Sequence, residues 1–222
     1  MAKLGKNDLE KIMKSLSKRR PVFHREADFQ HELAFELREH FKDASIRLEY
    51  PQKPIKEKPI EEKGEKRKYI DIVVLFKDEK IGIEVKYLLK GMNKNKLAQP
   101  IYDDHDCTKK PEPFYVSGQG GQNKRGYAFV EDIHKLENAV CSYGYLIILT
   151  NDAIYSKKAR NKNAKCAKYR FHEEAVLEGT FNYGSQAITL VREYKDFKWE
   201  EYNAKDSKFE DFKYLIVPIG KK

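Results

Sequence analysis

Tyr69-Ile-Asp-Ile-Val-Val-Leu-Phe-Lys-Asp-Glu-Lys-Ile-Gly-Ile-Glu-Val-Lys-Tyr-Leu-Leu-Lys90 decides the fold of this chain. Two apolar runs flank the polar turn Lys77-Asp78-Glu79-Lys80. Each run is rich in β-branched residues and short enough for a strand, so the stretch predicts an antiparallel hairpin. Successive strand side chains point to opposite faces, so Glu84 and Lys86 share one face and Val85 points away. Ile81, Ile83 and Val85 are expected to anchor the core side. Pairing of the two strands would bring Asp71 close to Glu84. Two carboxylates would then meet an ammonium. Oxygen ligands suit a hard cation such as Mg²⁺, and a cation suits a phosphate or an attacking water.

The surrounding elements are legible from periodicity. Asp8 to Leu16 reads as a short helix, ended by Lys18-Arg19-Arg20-Pro21. A second helix runs from about Glu26 to Phe41, with Phe29, Leu33, Leu37 and Phe41 as its apolar stripe. Ile46 to Tyr50 is a short strand, and Pro51 to Lys68 a polar loop. The glycines at 118, 120, 121 and 126 mark a flexible stretch. Tyr127 to Val140 reads as a helix carrying Val130, Ile133, Leu136 and Val140 on one face. Tyr145 to Thr150 is a strand buried on both faces. The remaining residues read as shorter strands and loops, ending in Phe212 to Val217. The expected class is an α/β sandwich with a mixed sheet, in the order helix, strand, strand, strand, helix, strand.

Composition limits the function classes. The chain has 222 residues, 40% hydrophobic and 36% charged, enough for one domain with a real core. Its net charge of +9 favours a polyanionic partner. No apolar run approaches the roughly 20 residues of a membrane span. The first residues lack the apolar segment of a signal peptide. Cys107, Cys141 and Cys166 lack CxxC spacing, which points to a reducing cytoplasm and away from a zinc ribbon.

Acid-x-Lys triplets are common here; Asp78-x-Lys80 and Asp211-x-Lys213 are two others. Glu84-Val85-Lys86 stands apart because it lies within an apolar strand and follows a strand carrying the lone acid Asp71. A third acid comes from the second helix. At about 100° per residue, Glu26 falls in the stripe of Phe29, Leu33 and Leu37.

With Glu26, Asp71 and Glu84-Val85-Lys86 set in that element order, the chain resembles the PD-(D/E)xK nuclease superfamily. The resemblance covers about residues 26 to 152. It departs in having Ile70, not Pro, before Asp71. It implies a single restriction-endonuclease-like domain, with an α-β-β-β-α-β core at about 22–152 and a β-rich extension at 153–222. It implies Mg²⁺-dependent phosphodiester hydrolysis, with DNA as the expected substrate, in restriction, defence or repair. Asp71, Glu84 and the Val85 carbonyl would bind Mg²⁺, with Mn²⁺ as a substitute, and Glu26 a second ion or a coordinated water. Lys86 would orient or deprotonate the attacking water. Gln99 and Tyr102 are similar to an accessory Gln/Tyr motif of some members. A homodimer is an arrangement known among such nucleases.

The acid-free segment with Lys157, Lys158, Arg160, Lys162, Lys165 and Lys168 follows the buried strand and is the expected phosphate-backbone contact. The competing reading is a non-catalytic nucleic-acid-binding protein on the same fold. A third is a protein-interaction module whose basic surface takes an acidic partner.

Overall fold

A computed structural model describes residues 4–52, 69–90, 121–161, 164, 166–203 and 212–220. Among these residues, three helices and a six-stranded mixed sheet form the frame. The elements are α1 (Lys6–Arg19), α2 (Glu26–His40), β1 (Ser45–Pro51), β2 (Tyr69–Leu75), β3 (Lys80–Leu88), α3 (Gln122–Glu137) and β4 (Tyr143–Thr150). A 3₁₀ turn (Ala167–Tyr169) follows, then β5 (Thr180–Tyr183), β6 (Gln186–Thr189), β7 (Trp199–Glu201) and β8 (Lys213–Gly220).

The main sheet has the order β1-β2-β3-β4-β8-β7, and β5 and β6 form a separate hairpin. β1, β2 and β3 are antiparallel neighbours. β4 runs parallel to β3, with α3 in the crossover between them. β8 pairs antiparallel with β4 along its whole length, from Tyr143 opposite Gly220 to Thr150 opposite Lys213. The C-terminal residues therefore supply two strands of the central sheet.

Two apolar layers cover the sheet. Leu9, Ile12, Met13 and Leu16 of α1 and Phe29, Leu33 and Leu37 of α2 pack on Ile72, Ile83, Val85 and Ile147. Val130, Ile133 and Leu136 of α3 pack on Val73, Leu146, Ile148 and Val217. The face of β3 that carries Glu84 is thus covered too, which corrects the expectation of one core side at Ile81, Ile83 and Val85. The physical reason is the parallel β3–α3–β4 unit, which buries both faces of its strands. β4 is buried on both faces as expected.

α3 begins five residues earlier than the periodicity implied and stops at Glu137. Val140, expected on its apolar face, lies beyond the helix end and is 54% exposed. Among the described residues no helix is long and apolar enough to cross a membrane.

Candidate active site

The β2–β3 ladder pairs Leu75 with Lys80 and ends at Ile72 opposite Ile83. One more rung would place Asp71 opposite Glu84, but the strands fork there. The Val85 amide donates to Asp71 Oδ2 at 2.8 Å, and the Asp71 amide donates to Glu84 Oε1 at 3.4 Å. Side-chain oxygens thus replace backbone carbonyls as acceptors. The strand alternation breaks at the same point: Ile70 joins the α3 layer together with Val73.

The β1 side of β2 is distorted as well. Glu49 faces Asp71 where the β1–β2 register skips a rung, and its φ is +48°, in the left-handed region. Gln30 of α2 ties this kink together. Its Nε2 donates to Glu49 Oε1 at 2.9 Å and to the Asp71 carbonyl at 2.7 Å.

Glu26 stands at the first turn of α2 and reaches the fork from the other side. Its Oε2 accepts the Tyr87 amide at 3.0 Å, and its Oε1 lies 3.6 Å from Lys86 Nζ. Lys86 Nζ donates to the Val85 carbonyl at 3.0 Å and lies 2.9 Å from Asp132 Oδ2. The ammonium is thereby enclosed by oxygens from β3, α2 and α3. Lys135 of α3 pairs with Glu84, which is fully buried, and donates to the Tyr69 carbonyl at 3.0 Å.

The electrostatics follow from burial and crowding. Burial pushes the Glu26 and Asp71 carboxyls above their ordinary values, against the pull of Lys86. Glu84 is pushed well above, by burial first and then by the nearby Asp132 and Asp71 charges. For Lys86, burial favours the neutral amine, but Asp132, Glu26 and Asp71 outweigh it and raise its pKa. Lys135 is likewise raised, with Glu84 and Asp132 overcoming burial. Both lysines are cations at neutral pH in this arrangement.

All four expected residues, Glu26, Asp71, Glu84 and Lys86, lie in one connected network. Asp132, Lys135, Gln30 and Glu49 were missed. Asp132 and Lys135 lie off the apolar stripe of α3, where charged residues usually face water. Their long or polar side chains instead reach into the fork. Gln99 and Tyr102 lie outside the described residues.

Among the described residues, no three His, Cys, Asp or Glu side chains are drawn together closely enough to hold a metal ion as they stand. Lys86 and Lys135 lie among the acids. The donor chemistry nonetheless fits a hard divalent cation. Glu26, Asp71, Glu84 and Asp132 outnumber the two ammonium groups by two negative charges when all are ionised. Glu84 Oε2 and Asp132 Oδ2, both buried, are each held by an ammonium, from Lys135 and Lys86 respectively.

The basic segment leaves the C-terminal end of β4, the sheet end where Lys86 and Leu88 of β3 also lie. Lys157 and Arg160 are exposed. Lys158 pairs with Glu174 at 2.6 Å, so an acid from beyond the segment partly neutralises it. Lys168 lies over the Tyr169 and Phe181 rings, at 5.0 and 5.9 Å from their centroids. Lys162 and Lys165 lie outside the described residues.

Compared with known protein families, with curated proteins and with solved structures, the chain matches none.

Proposed function

We propose that this protein is a Mg²⁺-dependent nuclease that hydrolyses phosphodiester bonds in DNA. The observation that carries the reading is the forked hairpin, which sets Asp71 and Glu84 together with Lys86 and admits Glu26 from α2. The strand arrangement supports it. An antiparallel β1-β2-β3 set, crossed by a helix to a parallel β4, agrees with a restriction-endonuclease-like core.

Asp71, Glu84 and the Val85 carbonyl would hold Mg²⁺ or Mn²⁺, with Glu26 beside them. When bound, such an ion supplies Lewis acidity and offsets phosphate charge. Lys86, a cation here, orients a water and stabilises charge that builds on the phosphate in an in-line displacement. Gln30 and the Val85 amide keep the Asp71 backbone and carboxylate fixed, so the site needs little reorganisation. The exposed Lys157 and Arg160 provide sequence-independent attraction for the backbone. Dimers that cut both strands and a cytoplasmic setting are arrangements this reading allows.

One observation favours the second reading, a non-catalytic nucleic-acid-binding protein on the same fold. Glu26, Glu84 and Asp132 are already paired with Lys86 or Lys135. Turnover separates the two. Plasmid and single-stranded DNA are incubated with the protein in Mg²⁺ and in chelator. Multiple turnovers in Mg²⁺ alone support the nuclease; salt-sensitive binding without cleavage in Mg²⁺ or Mn²⁺ overturns it.

A further inference from the structure

We propose that Asp132 and Lys135, neighbours across one turn of α3, are positioning residues that set the charge of the carboxylate site. The proposal rests on the metal-dependent reading above. Between them the two side chains hold both ends of the Glu84-x-Lys86 motif. Lys135 pairs with Glu84, and Asp132 Oδ2 lies 2.9 Å from Lys86 Nζ. Asp132 Oδ1 also lies 3.5 Å from Lys135 Nζ, so four charges form one chain from β3 to α3 and back. The Tyr69 carbonyl fixes the Lys135 ammonium from β2.

Holding the helix on the sheet does not require this chain of charges. Val130, Ile133 and Leu136 already bury the α3 face against β3 and β4. Charged pairs in such an interface carry a desolvation cost that apolar side chains avoid. Their placement is explained by the fork. Glu84 is fully buried, and without a counterion its charge would be uncompensated whenever no cation is bound. Lys135 supplies that counterion. Asp132 draws Lys86 toward α3.

Opposite consequences follow for the two residues. Removing the Lys135 charge weakens the metal-free protein and leaves Glu84 free for a divalent cation. Removing the Asp132 charge takes one negative charge from the site and lets Lys86 compete more strongly for the remaining acids.

Calorimetric titration with Mn²⁺ alone, paired with thermal unfolding with and without Mn²⁺, tests this on the full chain. Lys135→Met is expected to unfold at lower temperature without Mn²⁺ but to bind the ion about tenfold more tightly. Its Mn²⁺-induced rise in melting temperature therefore exceeds that of the wild type. Asp132→Asn is expected to bind about tenfold more weakly, and Lys135→Arg like the wild type. Equal destabilisation with and without Mn²⁺, with affinities unchanged in Lys135→Met and Asp132→Asn, would show ordinary structural ion pairs and overturn the proposal. If Lys135→Met does not fold, an unchanged Asp132→Asn affinity overturns it alone. Wild-type protein that binds no Mn²⁺ overturns the nuclease reading and this inference together.

Discussion

The Asp71 carboxylate accepts the Val85 amide at 2.8 Å, in the gap where the β2–β3 ladder has just ended. A side chain here completes the hydrogen bonding of the opposite strand. The acid therefore does two jobs, one for the backbone and one for the proposed chemistry. The two can be separated by substitution.

Asp71→Asn retains an oxygen that can accept from Val85, so its fold is expected to survive with a loss under ~1 kcal/mol. Its cleavage rate is expected to fall at least ~10³-fold, a barrier increase of ~4 kcal/mol. Asp71→Ala orphans the Val85 amide and is expected to cost ~1–3 kcal/mol as well. Denaturant unfolding beside a nicking assay measures both. Equal stability of the Asn and Ala variants would remove the structural job from Asp71.

Glu84 makes the metal-free protein unusual in its pH response. Its folded pKa is raised by burial and by the Asp132 and Asp71 charges, so the folded state releases this proton at a higher pH than the unfolded chain does. Stability from this group is therefore lost as pH rises from the ordinary carboxylate range through the raised folded value. Glu26 and Asp71 act in the same direction. The raised Lys86 and Lys135 contribute stability that is lost only well into the alkaline range. The metal-free wild type is expected to lose more stability between pH 5 and 8 than Glu84→Gln does, with slopes differing by at most ~1.4 kcal/mol per pH unit. Identical pH profiles of the two proteins would contradict the buried, protonatable Glu84.

Gly126 fixes where α3 enters the site. A Cβ added there would run into the Tyr169 side chain at its Cβ and Cγ, and the Cβ is fixed by the backbone and cannot swing aside. Gly126→Ala is expected to destabilise by ~1–3 kcal/mol, since either the helix or the 3₁₀ turn must shift. Because the helix carries Asp132 and Lys135, Mn²⁺ affinity is expected to change with it. A stable variant with wild-type affinity would uncouple the helix from the site.

The hairpin and its acids were legible because strand alternation and a lone acid in an apolar run are local signals. Asp71, Glu84 and Lys86 all announce themselves within one stretch of sequence. Glu26 was legible through its helical phase. Asp132, Lys135 and Gln30 were not, because their contacts depend on how α2 and α3 sit on the sheet. Charged residues beside an apolar stripe look the same whether they meet water or a buried acid. The central place of β8 was hidden for a similar reason. Its partner β4 precedes it by more than sixty residues, and no local pattern records that pairing. The basic segment was visible as charge, but the Glu174 partner of Lys158 was not.

Nucleic-acid affinity is expected to fall steeply with salt, because bound cations leave the phosphate backbone. Neutralising Lys157, Lys158, Arg160 and Lys162 together should flatten that slope, similarly for unrelated sequences. Lys158 is expected to contribute least of the described three, since Glu174 already offsets it. An unchanged slope would move the binding face elsewhere.

Anomalous diffraction from Mn²⁺-soaked crystals decides whether the forked hairpin binds a divalent cation. One strong peak is expected about 2.1 Å from oxygens of Asp71 and Glu84, with the Lys135 ammonium moved away from Glu84. Crystals with Mn²⁺ bound elsewhere or nowhere, and with Lys135 still paired to Glu84, would contradict it.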